Sequence, residues 1–174
     1  MDGMIWSVRS WQLSRSKRLI LEIADWRFRV DVEATQKRTS KYSFEHCQCG
    51  YCKNFYEAID LAHPHLRPVM EQFGINLEGP SELMPFEPTL MLACYRVDGE
   101  ILRWGQTELS AGGVPIIPET ADDRTFLLWV GELELPWIQQ EAVEDVISPA
   151  NLPEFMERMQ EVWLLRHGND FVFS

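Results

Sequence analysis

Trp26-Arg27-Phe28-Arg29-Val30-Asp31-Val32 alternates apolar and charged residues without a break. Side chains along a strand point to opposite faces in turn. The alternation therefore puts Trp26, Phe28, Val30 and Val32 on one side and Arg27, Arg29 and Asp31 on the other. This is the pattern of a half-buried strand, and it makes the N-terminal part of the chain β-structure. Arg18 to Ala24 reads as the preceding strand, with Asp25 at the turn, and Trp6 to Leu13 as a further, less regular one. Downstream, Glu33 to Ser43 is polar and basic with no period, the mark of a surface loop.

The period changes after Cys52. Phe55, Ile59 and Ala62 follow helical spacing until Pro64 interrupts them. Leu66, Val69, Met70 and Phe73 then form the inward face of a second short helix, which Gly74 stops. Residues 76–88 contain three prolines and read as an extended connector across the surface. Leu90 to Val97 and Glu100 to Gly105 read as a hairpin about Asp98-Gly99, a dipeptide suited to tight hairpin turns. Phe126 to Leu135 is the strongest strand, with Glu132 and Glu134 on its solvated face. Asn151-Leu152-Pro153-Glu154 is a helix start with its cap, and Leu152, Met156, Met159 and Trp163 form one apolar stripe. Phe171-Val172-Phe173 closes the chain as an edge strand. The expected fold is α+β: a mainly antiparallel sheet with two short central helices and a C-terminal helix packed on it, in one domain over residues 1–174.

The chain's 174 residues, 45% hydrophobic with seven tryptophans, suffice for a self-sufficient core and argue against disorder. Charge is uneven. Residues 1–50 carry nine Lys/Arg against six Asp/Glu, whereas residues 51–174 carry seven against twenty-one. An acidic half of that strength repels phosphate backbones and so excludes nucleic acid, but it suits a basic protein partner. Apolar runs such as Leu19-Ile20-Leu21 fall far short of the ~20 residues that span a bilayer. The expected compartment is the cytoplasm, where thiols stay reduced.

Three of the four cysteines lie within six positions, in His46-Cys47-Gln48-Cys49-Gly50-Tyr51-Cys52. Three readings stand side by side. In the first, the segment is a packing corner between loop and helix, with Gly50 at a turn and Asn54 and Phe55 as anchors. In the second, Cys47, Cys49, Cys52 and His46 hold zinc, since closely spaced thiolates suit that ion; Cys94, His63 and His65 are other sources of a fourth ligand. The absence of a second cysteine pair counts against it. In the third, Cys49 is the nucleophile and Cys52 the resolving thiol of a thiol–disulfide oxidoreductase. Cys49-Gly50-Tyr51-Cys52 resembles the active-site tetrapeptide of thioredoxin-like enzymes, and Val114-Pro115 is similar to their proline loop. The polar run before the cluster and the additional Cys47 depart from that family.

No phosphate-binding glycine loop is present, because Gly112-Gly113-Val114-Pro115 lacks the Gly-Lys-Ser/Thr that must follow, and there is no nucleophilic serine motif. His63 and His65 flank a helix corner where polar residues collect. Glu132 and Glu134 form an ordinary wet face rather than a catalytic pair.

Cys47-x-Cys49-x-x-Cys52-x-Asn54-Phe55, the helix after it, Gly74-Ile75-Asn76, the proline-broken Glu82-Leu83-Met84-Pro85 and Leu133-Glu134-Leu135-Pro136-Trp137 together resemble a bacterial protein family with no assigned activity. The resemblance covers residues 46–137. It implies a small cytoplasmic α+β protein marked by the three cysteines and carries over no catalytic residue. With no catalytic set in view, the expectation is a non-enzymatic domain that binds a basic protein, for instance an immunity protein paired with a toxin.

Overall fold

A computed structural model describes residues 11–12, 18–40, 49–87 and 89–140. The chain divides into two compact units, residues 1–139 and 140–174, and every element below belongs to the first. The strand expected over Trp6 to Leu13 is described only at Trp11 and Gln12. The helix from Asn151, the strand at Phe171–Phe173, and the reach of a single domain to residue 174 lie outside the described residues, as do His46 and Cys47.

Strands β1 (Trp11–Gln12), β2 (Arg18–Ile23) and β3 (Trp26–Asp31) lead into helix α1 (Val32–Ser40). Helices α2 (Gly50–Ala62) and α3 (Leu66–Met70) follow, the latter tightening into a 3-10 turn over Glu71–Phe73. Then come β4 (Glu82–Glu87), β5 (Leu90–Arg103), β6 (Leu109–Ala111), β7 (Val114–Asp122) and β8 (Thr125–Glu134). The strands form one sheet in the order β1-β2-β3-β5-β8-β7-β6, with β4 also against β5, and every pairing is antiparallel. The class is α+β.

β3 obeys its alternation: Trp26, Phe28 and Val30 are buried while Arg27 is exposed. The turn before it puts Ala24 at φ 53°, in the left-handed region. The Asp25 carboxylate beside it accepts the backbone N–H of Gln106 at 2.6 Å and of Thr107 at 3.2 Å. The Gln106 bond is the largest of the influences that hold its pKa below the usual carboxylate value.

The region from Glu33, expected as a loop, is helical as far as Ser40. Its buried face consists of Thr35 and Thr39, four residues apart, both fully buried. Asp31 Oδ1 accepts the Ala34 N–H at 3.0 Å and supplies an N-terminal cap. Thr35 Oγ1 donates to the Asp31 carbonyl at 2.9 Å and accepts the Asp98 N–H at 3.0 Å. Thr39 Oγ1 donates to the Thr35 carbonyl at 3.1 Å and accepts the Asn76 N–H, also at 3.1 Å. Hydroxyls thus dock this helix, so a search for apolar periodicity passes over it.

α2 and α3 lie where the apolar spacing placed them, and Gly74 ends the 3-10 turn in the left-handed conformation at φ 75°. Leu66, Val69, Met70 and Phe73 are all buried. Phe73 meets Phe28 edge-on at 5.4 Å and Phe126 at 6.3 Å, while Phe28 and Phe126 stack at 5.5 Å. This triad joins β3, β8 and the 3-10 turn in one core. Part of the expected connector is strand β4, in which Pro85 pairs with Met91; among the described residues β5 is its one neighbour, and such an edge position tolerates a proline.

The expected hairpin about Asp98-Gly99 is overturned. β5 runs straight through this dipeptide, pairing with β8 from Leu90 to Asp98 and with β3 from Gly99 to Arg103. Glycine is required there by a close approach: a Cβ on Gly99 would lie 2.1 Å from the Arg29 carbonyl oxygen. The dipeptide marks a change of strand partner, not a reversal of the chain.

Candidate functional site

Cys49 is exposed at the N-cap of α2, where its Sγ accepts the backbone N–H of Cys52 at 3.5 Å. Cys52 is half-buried one turn further on. Gly50 begins the helix and takes no positive φ, so the special turn expected of it is not formed. Tyr51 points inward, its ring edge-on to Trp137 at 5.5 Å, and its buried hydroxyl has no hydrogen-bond partner among the described residues. Burial, and secondarily the nearby Cys49, raise its phenol above the ordinary value of 10.0.

Asn54 and Phe55 are fully buried. Asn54 Nδ2 donates to the Pro136 carbonyl at 3.1 Å, and its Oδ1 accepts the Ile138 N–H at 2.7 Å. One side chain thereby satisfies two backbone groups of the segment after β8 and fixes α2 against it. His63 Nε2 sits 3.0 Å from the Glu134 carbonyl oxygen and adds a tie at the far end of the helix. Of the other side chains considered in sequence, Glu132 and Glu134 are exposed as expected. Among the described residues no three His, Cys, Asp or Glu side chains gather as a metal site. Zinc at Cys49 and Cys52 would thus draw on His46 or Cys47, outside the described residues.

Cys94 is buried on β5, opposite Glu82 and Trp129 on the neighbouring strands. Burial first, then the negative charges of Glu82 and Glu119, push its thiol from 9.0 up to about 12. Between those two pH values the unfolded chain loses this proton and the folded chain keeps it, so stability must fall as pH rises through the window. Denaturant unfolding at a series of alkaline pH values should show that decline, and it should be shallower in Cys94→Ala.

A second locus has no counterpart in the sequence reading. A cleft of about 430 Å³ opens where β5 changes partner, walled by β3, the start of β2, α1 and the turn between β7 and β8. Arg18, Arg29, Arg38, Arg96 and Arg124 all line it. Arg38 grips Asp98 through two hydrogen bonds of 2.7 and 2.6 Å. Arg29 pairs with Glu100, and Arg96 reaches Asp122 at 3.3 Å and Thr125 at 3.0 Å. Arg18 and Arg124 are exposed and make no ion pair among the described residues. These arginines are spread over residues 18–124 with no common spacing, and only the tertiary arrangement of strands, helix α1 and the β7–β8 turn unites them.

No protein-family model matches the chain, and no solved structure matches it. Among curated proteins it is similar to a sulfate adenylyltransferase of Synechocystis sp., with 29% identity over 103 residues. The match covers 56% of this chain and 26% of that enzyme, so the chain spans about a quarter of the relative's length.

Proposed function

We propose that this chain is a non-enzymatic α+β domain that binds a basic protein, in the manner of an immunity protein paired with a toxin. The surplus of uncompensated carboxylates carries the reading. Glu108, Glu119, Asp123, Glu132 and Glu134 are exposed and take part in no ion pair among the described residues. Most arginines among the described residues, by contrast, are engaged within the chain: Arg27 by Glu22, Arg29 by Glu100, Arg38 by Asp98, Arg67 by Asp60 and Glu78, and Arg96 by Asp122. Excess negative charge is left to steer a cationic partner, an effect screened beyond about 8 Å at physiological salt. The test is recovery of partners from the native bacterial host at low salt. A basic protein released by raised salt, and lost in Glu132→Lys with Glu134→Lys, supports the reading; repeated recovery of none sinks it. The bacterial family marked by the cysteine segment, with its cytoplasmic setting, is part of the same proposal.

The arrangement of Cys49 and Cys52 at the start of α2 favours a second reading, a zinc site completed by Cys47 and His46. Elemental mass spectrometry should then find about one zinc per chain, lost in Cys49→Ser and in Cys52→Ser. No metal would remove this reading. An insulin-reduction assay would then decide whether Cys49 and Cys52 act as nucleophile and resolving thiol.

A further inference from the structure

Ten Lys and Arg side chains occur among the described residues against eighteen Asp and Glu, and five of the ten meet at the cleft beside the β5 partner change. The lining holds five acids as well: Asp31, Asp98, Glu100, Asp122 and Asp123. The cleft thus escapes the acidic surplus of the rest of the described chain. Its acids are also unequal in availability. Asp98, Glu100 and Asp122 are each neutralised by an arginine, and Asp31 accepts the Ala34 N–H at the start of α1. Among the described residues, Asp123 is the one acid of the lining that is exposed with no ion pair, against two such guanidiniums, those of Arg18 and Arg124.

We propose that this cleft binds a small molecule carrying a phosphate- or sulfate-class oxyanion, with Arg18 and Arg124 as the groups that hold the anion. A guanidinium presents a planar fork of N–H donors that matches two oxygens of such a group at once. Arg29, Arg38 and Arg96, each already paired with an acid of the lining, form the walls. A volume of about 430 Å³ lies in the range of small-molecule pockets and leaves room beside the anion for an organic body. The guanidinium planes of those walls can stack on an aromatic face, so a planar ring suits that body. Asp123 and Asp31 would repel additional negative charge, so a monoester fits better than a polyphosphate.

Calorimetric titration of the full chain with sodium phosphate, sodium sulfate and phenyl phosphate, against sodium chloride at equal ionic strength, tests the assignment. One saturable site is expected, with phenyl phosphate binding more tightly than phosphate and chloride giving no saturation. Arg18→Gln and Arg124→Gln should each weaken binding about tenfold, the loss expected for one charge-assisted contact. Arg103→Gln, outside the lining, should leave it unchanged. Both cleft variants replace exposed side chains, and unchanged melting temperatures would confirm that they fold. No saturation at tens of millimolar, equal response to chloride, or undiminished binding in both cleft variants would overturn the site. Equal affinity for phosphate and phenyl phosphate would overturn the organic part of the ligand.

Discussion

Phe28→Ala is expected to lower the free energy of unfolding by about 3–5 kcal/mol, the cost of emptying a large buried aromatic position. Phe28 has no exposed surface. It stacks on Trp26 at 5.9 Å and Phe126 at 5.5 Å and takes the edge of Phe73 at 5.4 Å. Those partners come from β3, β8 and the 3-10 turn after α3, so the cavity would open where the sheet meets the helical segment. Relaxation is limited because all three rings are themselves pinned by backbone elements. Urea unfolding should show a lower midpoint at unchanged slope, and Phe28→Leu, which keeps much of the volume, should lose clearly less. A loss below about 1 kcal/mol for Phe28→Ala would mean that the triad is not the centre of the core.

Gly99→Ala is expected to cost on the order of 3 kcal/mol although it adds a single methyl group. The new Cβ would stand 2.1 Å from the Arg29 carbonyl oxygen and 3.1 Å from the Val30 Cα. These are backbone atoms of β3, which no rotamer change can move aside. Relief requires β3 and β5 to separate at Gly99–Val30, the first pair after β5 leaves β8. For a chain of this length the melting temperature should fall by roughly 6–12 °C. The same strand separation would displace Arg29 and Glu100 in the cleft wall, so oxyanion binding should weaken together with stability. Gly113→Ala is the matched control for added volume, since a Cβ there meets nothing within 4 Å, although its φ of 88° carries a backbone cost of its own. An effect at Gly99 no larger than that at Gly113 would refute the steric account.

Reading the sequence was most effective where burial is apolar and periodic. The alternation through Trp26–Asp31, the spacing of Phe55 and Ile59, the face of Leu66, Val69, Met70 and Phe73, and the stop at Gly74 all correspond to described elements. It failed at α1, whose inward face is two threonines, because a buried hydroxyl bonded to backbone looks polar in sequence. Asp98-Gly99 misled for a different reason. Glycine serves equally at a turn and at a close approach of two backbones, and only the neighbouring strand distinguishes the two uses.

The candidate sites divide in the same way. Clustering of Cys47, Cys49 and Cys52 is visible in the linear chain, and so is the acidity of residues 51–174. Local order determined those features, because cap, helix start and thiols lie within a few residues of one another. The arginine cleft depends on contacts between residues as far apart as 18 and 124, set by which strand lies beside which. Ion pairs such as Arg38 with Asp98, sixty residues apart, form where β5 passes from β8 to β3. Amino-acid periodicity therefore determined the class of fold and the elements β3, α2, α3 and β8, but not α1, β4, β6 or β7. Tertiary structure alone decided which charges are neutralised within the chain and which are left to meet a ligand or a partner, because Coulomb and hydrogen-bond energies act over a few ångströms of space whatever the separation in sequence.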